Sequence, residues 1–221
     1  MTQTLTEQFD ALHAERERSW DPTKLAKNVA QRRALIEAFD PARVVQVGDR
    51  IDPFTLDLST GGSVSLDDLT AKGPAALIFF RFAGCPACNI ALPHYDRTLA
   101  PALRDAGIRL VAVSPHRPEH GLDAIRTRHD LSYEVASDRD NALARRLGIA
   151  FIPLDNAPPP GGGEWIGSLT GTGTGELPQP AIVLIDQHHI IRFIDVSPDW
   201  LRRTEADAVK AGLALREAIV A

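Results

Sequence analysis

The sequence predicts an α/β fold: a central mixed β-sheet flanked by helices, with a helical extension ahead of it. Three observations predict it. Ala75-Ala76-Leu77-Ile78-Phe79-Phe80-Arg81-Phe82 is a nearly continuous apolar run, the pattern of a strand buried on both faces. Strand-like and helix-like segments then alternate as far as residue 147, the rhythm of crossovers in a doubly covered sheet. Residues 180–186 and 190–196 flank the turn Gln187-His188-His189, which gives the sheet an antiparallel return.

In chain order, residues 1–46 form the extension. Leu5, Phe9, Leu12 and Ala14, then Leu25, Val29, Leu35, Ile36 and Phe39, recur at helical spacing. Asp21-Pro22 separates two helices as an N-cap followed by a first-turn proline. The extension reads as a packing arm or a homodimer contact. The main domain spans 47–221. Phe54-Thr55-Leu56-Asp57-Leu58 alternates, Ser59-Thr60-Gly61-Gly62 turns and Ser63-Val64-Ser65-Leu66 returns, a small hairpin. Asp67-Asp68-Leu69 is a helical turn before the strand at 75–82. The helix after Cys85 should kink at Pro93 and end near Gly107. A strand at 108–113, a helix at 118–129, a short strand at 133–136 and a helix at 141–147 closed by Gly148 follow.

Residues 155–178 break this rhythm. Pro158-Pro159-Pro160-Gly161-Gly162-Gly163 and Gly171-Thr172-Gly173-Thr174-Gly175 argue against regular structure there. A lid over the site and a solvated insertion both fit so long a loop. Its glycines are not a phosphate cradle, since no G-K-[ST] follows them. A last helix covers 204–220, with Ala208, Leu213, Leu215 and Ile219 as its apolar positions.

Hydrophobic residues make up 44% of the chain, which suits a globular domain. The net charge of −5, from 24 basic and 29 acidic side chains, provides no footprint for nucleic acid. No run reaches the ~18 apolar residues of a membrane span. The first residues lack the basic and apolar regions of a secretory signal, so the expected compartment is the cytosol.

Both cysteines of the chain lie in Cys85-Pro86-Ala87-Cys88, between the apolar strand and the next helix. A reducing compartment works against a lasting disulfide, and closing so short a loop gains only about 2 kcal/mol. Redox work or metal binding is the better reason for the pair. The thiolate is the nucleophile, and an ordinary cysteine is only about 3% ionised at neutral pH. A helix N-terminus supplies N–H groups and a dipole that lower the pKa of a cysteine placed there. Pro86 suits the first turn because it needs no acceptor for an N–H. Cys85 is thus placed for a lowered pKa and for exposure, with Cys88 one turn deeper and less exposed. Arg81, four residues earlier, either adds positive charge or is a surface or capping arginine. His94, His116, His129, His188 and His189 read as ordinary surface or core histidines. A zinc site would need two of them beside the cysteines, and cuprous ion on the two thiolates alone is the remaining metal alternative.

These residues carry a family resemblance. The run from Val47-Gly48-Asp49 through Phe54-Thr55-Leu56 to Phe80-Arg81-Phe82-Ala83-Gly84-Cys85-Pro86-Ala87-Cys88-Asn89 resembles the thioredoxin-fold redoxins. It is most similar to the bacterial peroxiredoxin-like branch of the AhpC/TSA superfamily, with its helical extension, its arginine four before the first cysteine and its C-P-x-C-N motif. Leu110-Val111-Ala112-Val113-Ser114-Pro115, Leu177-Pro178-Gln179-Pro180-Ala181, Val196-Ser197-Pro198-Asp199-Trp200 and Arg202-Arg203 match later parts of the family. The resemblance implies a thioredoxin-like fold and a thiol-dependent antioxidant oxidoreductase without a cofactor. Cys85 would attack a hydroperoxide and Cys88 would resolve it as an internal disulfide. Pro180 would be the cis-proline facing the dithiol, and thioredoxin or a low-molecular-weight thiol the reductant. The chain departs from the peroxiredoxin pattern at three places. Phe82 stands where the family has threonine, Ile78 where it has proline, and Pro180 where it has arginine. Gly84 and Ala87 replace the branch's aromatic residues. A disulfide substrate, with the protein acting as a thiol–disulfide oxidoreductase, is therefore the alternative to peroxide. A redox-sensing or copper-binding module is the non-enzymatic one.

Overall fold

A computed structural model describes residues 3–153, 158–160 and 163–220, the last seven by backbone only. Helices α1 (Leu5–Ser19) and α2 (Pro22–Ala38) come first. The hairpin of β1 (Thr55–Leu58) and β2 (Ser63–Ser65) leads to α3 (Leu66–Thr70) and β3 (Ala75–Phe79). Then come α4 (Pro86–Thr98), α5 (Ala100–Asp105), β4 (Arg109–Ser114), α6 (Ala124–His129), β5 (Glu134–Ser137) and α7 (Ala142–Arg146). The chain ends through β6 (Ala150–Phe151), α8 (Ile166–Thr170), β7 (Leu177–Pro178), β8 (Ala181–Ile185), β9 (Ile191–Val196) and α9 (Ala206–Val220). The main sheet is mixed, in the order β2-β1-β5-β4-β3-β8-β9. β3 pairs parallel to β4 and antiparallel to β8, and both β3 and β8 are buried throughout.

Strand alternation divides the core between the two faces. Ala76, Ile78, Phe80, Leu110, Ala112, Ile182 and Leu184 face one side, with Cys85, Cys88, Trp200 and the apolar residues of α1. Ala75, Leu77, Phe79, Val111, Val113 and Val183 face the other, under the β1–β2 hairpin and α7. On the first side α1 buries Leu5 and Phe9 completely. Its N-terminus is closed by a capping box from Thr4 and Glu7 and by the Glu205 carboxylate, which accepts from the backbone N–H groups of Leu5 (3.1 Å) and Thr6 (2.9 Å). Asp21 caps α2 with Pro22 in its first turn, as expected. α2 buries no residue of its own.

Several expectations need correction. The apolar strand stops at Phe79, and residues 80–85 form the loop to α4. The helix after Cys85 is interrupted at Leu99, just ahead of Pro101, which has no N–H for the Arg97 carbonyl; Pro93 lies inside α4. The expected helix at 118–129 is split by Gly121, whose φ of +88° ends a short 3-10 turn. The Gly/Pro-rich region holds regular structure after all, in α8 and in β7, which pairs with β6. There the Thr170 hydroxyl bonds back to the Ile166 carbonyl at 2.7 Å and to the Thr172 hydroxyl at 2.9 Å. Leu154–Ala157 and Gly161-Gly162 lie outside the described residues, as do the side chains of Leu215 and Ile219. In α9, Ala206 and Val209 are the buried positions while Ala208 is exposed.

Because Phe9 is fully enclosed, Phe9→Ala should lower unfolding stability by about 3–5 kcal/mol. Val29→Ala, on the exposed side of α2, should change it by no more than about 0.5 kcal/mol. Guanidinium denaturation monitored by tryptophan fluorescence measures both, and equal small effects would mean that α1 is not part of the core.

Candidate active site

The two cysteines sit at the C-terminal end of β3, where parallel strands deliver the chain to a helix N-terminus. Cys85 is the N-cap of α4 and Pro86 its first residue. The loop carrying Cys85 is pinned on three sides. The Ser114 hydroxyl donates to the Arg81 carbonyl at 3.0 Å. The Ala83 N–H donates to His116 Nδ1 at 3.2 Å, so His116 keeps its proton on Nε2 and donates it to the His120 carbonyl at 2.9 Å. Asn89 Nδ2 donates to the carbonyls of Ala83 and Cys85, each at 2.9 Å. Asn89 Oδ1 in turn accepts from Arg128 at 2.7 Å and lies 2.8 Å from His129 Nε2.

Both cysteines are free thiols, and both are buried. This corrects the expected exposure of Cys85, which is 2% accessible. The chain's C-terminal tail belongs to the core that encloses it. Residues 197–204 leave β9, attach to Pro180 through the Ser197 N–H (2.7 Å) and place Trp200 and Leu201 in the same core cluster as the cysteines. The surface reading of Arg81 is likewise overturned. Arg81 is buried, with its guanidinium 4.9 Å from the centre of the Trp200 ring. A surface position is incompatible with a tail that folds over the loop.

The electrostatics separate the two thiols. Cys85 is lowered to about 5, first by a hydrogen bond from the Cys88 thiol, then by the charges of Arg81 and Arg203, against the opposing effect of burial. A backbone N–H of α4, that of Cys88, contributes as well. Cys88 goes the other way: burial pushes it well up, and the neighbouring Cys85 sulfur adds to that. The two thiols are thus split in acidity, Cys85 held low and Cys88 held high. Arg203 donates to the carbonyls of Trp200 and Arg202 and reaches Cys88 Sγ at 3.9 Å. No role for Arg203 follows from its place in the sequence, where the tail match gave only its existence.

Pro180 lines a small cavity of about 10 Å³ with Cys88, Tyr95, Ser197 and Arg203, near the lower limit for one water. Its peptide bond is not cis, since no peptide bond is cis among the described residues. Trans is the lower-energy form of an X–Pro bond by about 0.5–1 kcal/mol. Here the trans chain enters β8 directly, with the Gln179 N–H held by the Ile149 carbonyl at 2.7 Å. Phe82 is half-buried and offers only its carbonyl, which accepts from the Cys85 N–H at 3.1 Å. Ile78 is core. Among the described residues no three His, Cys, Asp or Glu side chains converge as a metal site would need.

A model of the AhpC/TSA family matches residues 47–194. The chain is 26% identical over 117 residues to the thiol-disulfide oxidoreductase ResA of Halalkalibacterium halodurans, covering 52% of this chain and 64% of that one. It is 25% identical over 117 residues to the ResA of Geobacillus thermodenitrificans, with the same shares. The match thus spans less than two thirds of these curated relatives. Among solved structures, the peroxidoxin BcpB of Mycobacterium tuberculosis aligns with a TM-score of 0.60 at 21% identity, over 79% of this chain and 98% of that one. The AhpC of Enterococcus faecalis aligns with a TM-score of 0.60 at 16% identity, over 79% and 93%. These likenesses, with the seven-stranded mixed sheet between helices, establish the thioredoxin-like fold. With the family model spanning more than half of the sequence, the chain belongs to the AhpC/TSA family.

Proposed function

We propose that the protein is a thiol–disulfide oxidoreductase in which Cys85 attacks and Cys88 resolves. The observation that carries this reading is the free thiol of Cys85 at the N-cap of α4, held well below the ordinary thiol range, with the free thiol of Cys88 one turn on in the same buried cluster. The curated relatives, thiol-disulfide oxidoreductases by name, support it. So do the departures at Phe82, Ile78 and Pro180, which leave out groups that hold a peroxide in other members of the family.

The chemistry balances in two steps. The Cys85 thiolate attacks one sulfur of a substrate disulfide. That S–S bond breaks, its other sulfur leaves as a thiolate, and a mixed disulfide with Cys85 forms. Cys88 then attacks Cys85 Sγ. The mixed disulfide breaks, and the proton from Cys88 goes to the second departing sulfur. The substrate gains two electrons, and the protein is left with a Cys85–Cys88 disulfide. Thioredoxin or a low-molecular-weight thiol returns the dithiol, and we assign this cycle to the cytosol, where such reductants are maintained.

One observation favours a second reading, reduction of a hydroperoxide. Cys85 is so enclosed that a small oxidant reaches it more readily than a protein disulfide does. The thiolate would break the O–O bond to form a sulfenic acid and an alcohol, and Cys88 would condense with the sulfenic acid to release water.

Stopped-flow mixing of reduced protein with a small disulfide and with hydrogen peroxide decides between them. Reaction with the disulfide at least about tenfold faster than that of a free thiol at the same pH is the expected result. Peroxide reacting faster than the disulfide would favour the second reading, and neither outpacing a free thiol would reject both. Cys85→Ser should abolish turnover, and Cys88→Ser should trap a mixed disulfide visible by intact mass. In the pH profile of Cys85 alkylation, Cys88→Ala should move the midpoint upward, because the thiolate loses its hydrogen bond. Cys88→Ser keeps a donor and should move it less. Equal shifts would mean that the Cys88 proton is not what holds the thiolate.

A further inference from the structure

The surroundings of Cys85 hold more positive charge than one thiolate balances. Arg16, near the end of α1, is 3% exposed, and Arg81 is 7% exposed. Their guanidinium carbons lie 5.3 Å and 4.9 Å from the centre of the same ring, Trp200. Neither makes an ion pair with a carboxylate among the described residues, and Arg16 is close enough to Cys85 to feel its charge. A third guanidinium near that ring, Arg32 at 6.0 Å, is different: it is fully engaged by Asp199 through two 2.7 Å contacts. Arg203 adds a further cation on the Cys88 side.

The same group of residues holds unused donors. Arg16 Nη1, Arg81 Nε and Trp200 Nε1 are all buried, and among the described residues all lack a hydrogen-bond partner. Buried polar groups in folded proteins are nearly always paired, and buried cations are paired with anions. Arg16 also lies 4.7 Å from the centre of the Trp20 ring, but neither ring supplies an anion, so the partner these three donors lack is an acceptor that carries negative charge. A planar carboxylate matches the donor geometry of guanidinium.

We propose that Arg16, Arg81 and Trp200 form the binding site for a carboxylate on the small oxidant that Cys85 attacks. The inference rests on the reading of Cys85 as the attacking thiolate. It names the substrate class as low-molecular-weight disulfides bearing a carboxylate, and it gives the N-terminal helix α1 a substrate contact. The positive charge that holds the thiolate on one side then holds the substrate's anion on the other.

Alkylation tests the site without any assumption about the oxidant. Reduced protein and free N-acetylcysteine are each treated with iodoacetate and with iodoacetamide, and the rates at Cys85 are followed by mass spectrometry. In both cases the sulfur bonds to the reagent's carbon and iodide leaves, so the two reagents differ at the carboxylate. The iodoacetate-to-iodoacetamide ratio for the protein should exceed that of N-acetylcysteine by about tenfold, the scale of one charge-assisted hydrogen bond. Arg16→Gln should return the ratio toward the free-thiol value. Arg18→Gln, an exposed charge on the same helix, should leave it raised. A ratio equal to that of the free thiol in the unaltered protein overturns the proposal, whether or not Arg16→Gln folds. A second arm compares 3,3′-dithiodipropionate with bis(2-hydroxyethyl) disulfide, and the former should react faster. If both disulfides are inert while the alkylation ratio stays high, the carboxylate site stands and the disulfide-exchange reading fails. If Cys85 reacts slowly with every reagent, both fail.

Discussion

Everything around the cysteines follows from the need to keep a negative sulfur inside a protein. Burial alone would drive Cys85 toward its neutral thiol, since moving a charge out of water is costly. Its lowered pKa exists because the Cys88 S–H, the head of α4 and the guanidiniums of Arg81 and Arg203 outweigh that cost. One pKa unit corresponds to about 1.36 kcal/mol, so several such contributions must act together. The rest of the site maintains these contacts. Ser114, His116 and Asn89 fix the loop, so that the sulfur is held at the head of α4 and does not swing into solvent.

The two ends of the chain supply the remainder. The segment after β9 brings Trp200 and Arg203 over the cysteines, and Glu205 then closes the N-terminus of α1. Arg32 on α2 is tied to Asp199 by a bidentate pair whose side chains are 14% and 13% exposed. Most other ion pairs here involve well-exposed side chains, the kind that contributes about 0–1 kcal/mol. The Arg32–Asp199 pair is shielded and well oriented, so it fixes the tail to the extension. The helical extension is thereby fixed against the tail, with Arg16 of α1 lying 5.3 Å from the centre of the Trp200 ring.

What was legible in the sequence was what local pattern encodes. The apolar run from Ala75, the alternation in Thr55–Leu58 and the Asp21-Pro22 boundary each depend on neighbours in sequence, and each formed the expected element. Cys85 and Cys88 were legible for the same reason: a spacing of three places both on one turn of helix. Arg16 and Arg203 were not, because Arg203 meets Cys88, and Arg16 meets Trp200, only after the termini fold back across the sheet. The burial of Arg81 was hidden by the same long-range step, as was that of Cys85. The helix α8 inside a Gly/Pro-rich stretch shows tertiary context overriding a local rule, whereas the trans bond at Pro180 follows the local preference and departs only from what the family resemblance implied.

The most direct test of a buried, shared-proton thiolate is its own titration. Thiolate absorbance near 240 nm, recorded on reduced protein against the Cys85→Ser variant, isolates that one sulfur. The Cys85 absorbance should appear with a midpoint near pH 5 and be complete at neutral pH. A midpoint in the ordinary thiol range, about 8–9, would contradict it.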